Sequence, residues 1–184
     1  MRRDFGHAVS INNNKRKGIC IMKKKINIDE TNIDKCSRDG FKGCYLEANG
    51  YGDFKGEVIQ IKDKSTKKHK DIRYLFKRID VEYDIGLDII KDKEDHVWIF
   101  NASEFKDNGI GVGDCVSFGG IIKPYRRKDG TYDLGIEDPY DIRKIDSYEL
   151  PSDEKLQAQF MQQLKCETCL FADHCDGVFC MMPQ

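Results

Sequence analysis

Between residues 113 and 136 apolar and polar positions alternate along two runs that meet at a corner. In the first run Val116, Phe118, Gly120 and Ile122 fall on one face, and Ser117, Ile121, Lys123, Tyr125 and Arg127 on the other, the period of two that marks a half-buried strand. Lys128, Asp129, Gly130 and Thr131 make the corner, and the Asp-Gly pair predicts a two-residue hairpin turn, because Gly takes a positive φ without a Cβ clash. Residues 132–136 return with the same alternation, and residues 141–145 extend that strand. Three strands are predicted upstream, over 54–62, 74–81 and 96–100, with 84–95 continuing the second of them before the turn. Residues 102–110 read as a short helix or loop ending at Gly109, and Gly119-Gly120 supplies the bulge or bend of a strongly coiled strand.

After Pro151 the period changes. Ser152 is a cap, Asp153 and Glu154 complement the helix dipole, and Leu156, Phe160 and Leu164 recur every four residues, predicting a helix that packs its stripe on the strands. The helix leads into Cys166, Cys169, Cys175 and Cys180, spaced C-x2-C-x5-C-x4-C. Thiolates so close repel one another unless a cation or cluster neutralises them, which points to a metal-binding tail; two disulfides are the alternative. At the other end, residues 1–35 are basic and without periodicity, and disorder is expected there. The division that follows is a basic segment over 1–35, a β unit with a glycine-rich lead-in over 36–148, and a helix plus four-cysteine tail over 149–184.

Composition narrows the function. A formal charge of -1 with 34% charged residues means that any electropositive surface comes from segregation of charge, and a pI near 6.4 disfavours strong nonspecific DNA binding. No run is long and apolar enough for a membrane helix and the first residues lack the core of a signal peptide, so a cytoplasmic protein is expected, with no membrane partner. In that compartment the eight cysteines read as thiols or metal ligands. Cys36 and Cys44, with seven residues between them, are expected to be free thiols, while Cys20 and Cys115 are left without a role. The hairpin tip gathers Lys123, Tyr125, Arg126, Arg127 and Lys128, four cations around a ring, a composition suited to an anionic polymer with stackable bases.

Five short strands with an insert between the third and fourth match a mainly β, five-stranded Greek-key barrel of the OB-fold kind, with the C-terminal helix and tail appended. From Phe54-Lys55-Gly56-Glu57-Val58, through Asp95-His96-Val97-Trp98-Ile99, to Gly113-Asp114-Cys115-Val116-Ser117-Phe118, the chain resembles small OB-fold single-strand-binding proteins of bacteria and their phages. The resemblance implies a ligand face on strands two and three with flanking loops. That face would carry Tyr74, Phe76 and Arg78 on strand two and Trp98 on strand three, with Lys67, Lys68 and Lys70 of the 63–71 loop and the Lys123 to Lys128 tip beside them. The alternative for the aromatic residues is barrel core. The C-x2-C-x5-C portion of the tail resembles the cluster ligands of iron-sulfur nucleases of the CRISPR-associated and AddB type and, with the fourth cysteine, those of SPASM domains; this favours a 4Fe-4S cluster over Zn²⁺. The leading expectation is a non-enzymatic binder of single-stranded DNA or RNA. The alternatives are an iron-sulfur, metal-dependent nuclease, for which Glu104-Phe105-Lys106 with Asp88 and Asp95 would hold the metal, and a protein-interaction adaptor.

Overall fold

The computed structural model describes residues 30–167 apart from 68 and 87. Along the chain lie α1 (Glu30–Ile33), α2 (Asp39–Glu47), β1 (Tyr51–Asp63), β2 (Ile72–Asp84), β3 (Ile89–Ile99), α3 (Ser103–Asp107), β4 (Cys115–Arg126), β5 (Tyr132–Ile145) and α4 (Asp153–Glu167). All neighbouring strands are antiparallel, in the order β3-β2-β1-β4-β5, and β3 and β5 come together on the far side. With α3 inserted between β3 and β4, this is the Greek-key connection of an OB-like barrel, the fold class the strand pattern predicts.

Inward-facing positions of the strands fill the barrel: Phe54 and Val58 of β1, Tyr74, Phe76, Ile79 and Val81 of β2, Val97 and Ile99 of β3, Val116, Phe118 and Ile122 of β4, and Leu134 and Ile136 of β5. Phe105 of α3 closes one end, its ring 5.2 Å from those of Tyr74 and Phe76 and 5.1 Å from that of Phe118. Phe41 of α2 closes another part of the core edge-on to Phe54, at 6.1 Å. Each such ring is worth about 1.5–3 kcal/mol on burial.

Some expectations are revised. The glycine-rich lead-in is helical, because Gly40 lets α2 approach β3 so closely that a Cβ there would sit 2.2 Å from the Lys93 carbonyl oxygen. In that place the Gly40 N–H donates to Glu94 Oε1 at 2.8 Å. The third strand begins at Ile89, seven residues earlier than expected (96 − 89), because Lys91 to Glu94 pair with Ile79 to Glu82 although their side chains are charged. The β4–β5 corner is a turn from Arg127 to Gly130 followed by a bulge: Gly130 N–H donates to Arg127 O, Arg127 N–H to Thr131 O, and Gly130 has φ +91. It is thus one residue longer than the two-residue hairpin that Asp-Gly suggested. The bulge expected at Gly119-Gly120 is present, as register shifts on either side of Gly119.

Candidate nucleic-acid interface

The outer face of β1, β2 and β3 divides into two halves of different chemistry. In the half nearer the β1–β2 loop, pairing sets Gln60, Leu75 and Trp98 in one row and Lys62 and Arg73 in the next. Paired residues of antiparallel strands point to the same side, so these side chains share the outside while their neighbours fill the core. Trp98 is half-buried, with Lys62 Nζ 4.5 Å from its ring centroid. Phe100, just past β3, is 50% exposed, with Arg73 Cζ 5.0 Å from its centroid. Arg73 is itself held by a fork on Asp71, Nε to Oδ1 at 2.7 Å and Nη2 to Oδ2 at 2.5 Å, which raises the guanidinium pKa and lowers that of the carboxyl. The loop above presents Lys64, Lys67 and Lys70, all exposed, and is shaped by the Thr66–His69 bridge.

The other half carries an ion lattice. Lys55 reaches Asp80 at 3.5 Å and Glu82 at 4.0 Å, and Lys91 reaches Glu82 at 2.8 Å. Asp80 is 3% exposed, and its pKa is raised by that burial against the pull of Lys55 and Lys91. Opposite charges here satisfy one another, so little net field is left for a polyanion.

Against the expected site residues the correction is specific. Tyr74 and Phe76 are 1% and 0% exposed and belong to the core, where Tyr74 donates its hydroxyl proton to Ile110 O at 3.0 Å. They alternate with Arg73, Leu75 and Lys77, which face out. Arg78 is exposed at a bulge, with φ +54, but lies against Glu57 at 3.9 Å and over the Tyr148 ring at 5.4 Å. Trp98, Lys67 and Lys70 are on the open side; Lys68 lies outside the described residues.

The hairpin tip is a lock and not an open clamp. Lys123 pairs with Asp138 and, at 3.5 Å, with Glu137. Tyr125 is half-buried, accepts from Arg38 Nη1 at 3.2 Å and donates to Asp133 Oδ2 at 3.4 Å. Arg127 pairs with the same fully buried Asp133, which also accepts from Ser37 at 3.2 Å and faces Arg38 at 3.5 Å. Only Arg126 and Lys128 of the tip keep their charge away from a carboxylate among the described ion pairs, and Arg126 Nε donates to Gly130 O at 3.3 Å. Lys62, Arg73 and Phe100 were not among the expected site residues, yet Phe100 stands two positions beyond Trp98 and shares its outward phase within the strand expected over 96–100.

Cys36 and Cys44 are buried free thiols, donating weakly to the Tyr132 and Tyr51 carbonyls at 3.6 and 3.4 Å; burial pushes the Cys44 thiol up to about 12. Of the tail, Cys166 is exposed at the end of α4, while Cys169, Cys175 and Cys180 lie outside the described residues. Among the described residues no group of three His, Cys, Asp or Glu side chains could hold a metal ion. Asp88 precedes β3 and Glu104 follows it, so the eleven residues of that strand, about 35 Å long, separate them. Lys106 is paired with Asp63 at 3.1 Å, so the E-x-K triplet does not assemble with Asp88. No helix among the described residues is long and apolar enough to cross a membrane.

No protein-family model matches the sequence, and no curated protein matches it. Among solved structures, the chain is similar to a small single-stranded DNA-binding protein from Streptomyces coelicolor, with 13% identity and a TM-score of 0.33 over 52% of this chain and 93% of that one.

Proposed function

We propose that this protein binds single-stranded nucleic acid on the outer face of β1–β3, without catalysing a reaction on it. The observation that carries the reading is the pairing of outward-facing ring with cation, half-buried Trp98 with Lys62 and exposed Phe100 with Arg73, on a face bordered by Lys64, Lys67 and Lys70. Bases stack on the rings at about 1–3 kcal/mol each, and the cations above those rings shift to the flanking phosphates as the bases arrive. Such contacts read a ring and a charge, not base edges, so affinity tolerates any sequence and falls with salt.

Trp98 is the sole tryptophan of the chain, so its fluorescence reports the site directly. Titration with a single-stranded oligothymidylate is expected to quench it at low salt, with a weaker effect from a duplex of equal length. An emission unchanged by single-stranded DNA or RNA at every salt concentration overturns the reading.

Part of the same reading is that Cys166, Cys169, Cys175 and Cys180 hold a structural 4Fe-4S cluster, or Zn²⁺, beyond α4. Its support is the spacing and the exposure of Cys166, whose sulfur accepts from Gln162 Nε2 at 3.7 Å. Protein purified without oxygen is expected to be brown with iron bound, or colourless with one zinc; metal-free protein contradicts it.

A further inference from the structure

Between β5 and α4 the chain crosses the outside of the barrel. β5 ends at Ile145, paired with Cys115 of β4; Cys115 pairs with Glu57 of β1, Glu57 with Lys77 of β2, and Lys77 with His96 of β3. Tyr148 lies on this row. Its hydroxyl donates to Arg78 O at 2.6 Å and lies 3.4 Å from Lys77 O, Arg78 stacks on its ring, and Cys115, Glu57 and Asp80 are its electrostatic neighbours. The carbonyls it meets are at the β2 bulge, where the β1–β2 register shifts between the Asp80 and Lys77 pairs. Three residues on, Lys93 of β3 donates to Pro151 O at 3.2 Å and pairs with Asp153 at 2.5 Å. Pro151 is buried. Residues 146–151 thus form a strap that leaves the end of β5, is pinned at the β2 bulge through Tyr148 and reaches β3 at Lys93.

The strap is held at Tyr148 and at Pro151, and Tyr148 lies between the two halves of the outer face. On one side are Trp98, Phe100, Lys62 and Arg73; on the other is the Lys55–Asp80–Glu82–Lys91 lattice. We infer that this strap is a fixed wall ending the nucleic-acid site, so that each molecule takes a short stretch of about four nucleotides, the low end of the range for such barrels. The inference rests on the reading proposed above and adds the ligand's length to it. Two rings accommodate two stacked bases, and the flanking phosphates meet Lys62, Arg73 and the loop lysines; beyond them a strand running on over the sheet meets Tyr148 and Arg78.

The test is a length series of oligothymidylates from about 2 to 16 nucleotides, with affinity read by Trp98 quenching and by anisotropy of the labelled strand. For the wild type, affinity is expected to climb to about four nucleotides and then to rise only by the few-fold statistical gain of extra registers. Tyr148→Ala, its folding checked by circular dichroism, is expected to move the plateau to longer strands. Where that variant fails to fold, Lys93→Ala with Asp153→Ala, which unties the far end at exposed or partly exposed positions, carries the same expectation. A wild-type affinity that gains tenfold or more between about 6 and 12 nucleotides overturns the wall and shows a strap that longer strands displace. A plateau unmoved in the folded strap variants overturns it too. Absence of quenching and of anisotropy change at every length sinks the binding reading itself, a different result from either.

Discussion

Two places on this barrel bring cations against aromatic rings, and they do opposite things. At the β4–β5 tip, Arg38 lies 5.9 Å from the Tyr125 ring centroid and Arg127 is close by, but between them sits Asp133, fully buried and contacted by Arg127, Arg38, Ser37 and Tyr125. On the β1–β3 face, Lys62 covers Trp98 and Arg73 covers Phe100, and among the described residues the carboxylate paired with them is Asp71, at the loop's edge. In the first cluster the positive charge is consumed internally and ties Ser37 and Arg38, just before α2, to the hairpin. In the second it faces solvent. Rings and cations near each other in sequence therefore mean little until the position of the nearest carboxylate is known.

The largest expected effect is on the lock. Asp133→Ala leaves Arg127 and Arg38 without their shared partner and is expected to cost about 3–5 kcal/mol of stability, measured by urea unfolding. Strand affinity, measured where the variant is still folded, is expected to stay within about twofold of wild type; a variant of unchanged stability would break the contrast between the two clusters.

A smaller effect is expected on the open face. Lys62→Ala removes one phosphate partner and is expected to lower the slope of log affinity against log salt by about 0.7 for a single strand. Lys123→Ala, already paired with Asp138 and Glu137, is expected to leave the slope unchanged. Equal slope changes for both would erase the distinction.

The smallest concerns pH. Burial raises the pKa of Asp92, and the neighbouring Asp39 adds to it. An acid whose folded pKa is raised favours the folded state below its unfolded value, and that contribution is lost as pH rises through the folded value. Asp92→Asn is therefore expected to raise the thermal midpoint at about pH 7 and to leave it nearly unchanged at about pH 4. A midpoint raised equally at both would assign the effect to packing.

The barrel was legible because its strands alternate: the inward phase of Val116, Phe118 and Ile122 and the cap at Ser152, which accepts from Lys155 N–H at 3.2 Å, follow from local pattern. The limits of β3 were not, since Lys91 to Glu94 are charged on both faces and owe their extended form to pairing with β2. The site was half legible. Trp98 stands on the outer face as expected, whereas Tyr74 and Phe76, expected there too, are core, because aromatic identity was weighed without the phase of Arg73, Leu75 and Lys77. The tip was misread because Asp133 lies across the turn and Arg38 comes from a distant helix start, contacts that no local window contains. The helix stripe is also only partly as expected: Leu156, Phe160 and Leu164 line a cleft of roughly 510 Å³ against α2, Tyr83 and Ile90, with Phe160 59% exposed.

The most direct measurement compares one ring from each cluster in the same titration, with Trp98 emission reading strand binding to Phe100→Ala and to Tyr125→Ala. Loss of a stacking ring is predicted to weaken affinity about 5- to 150-fold for Phe100→Ala, and Tyr125→Ala is predicted to bind within about twofold of wild type. The opposite ranking, with Tyr125→Ala crippled and Phe100→Ala intact, would contradict the assignment of the ligand to the β1–β3 face.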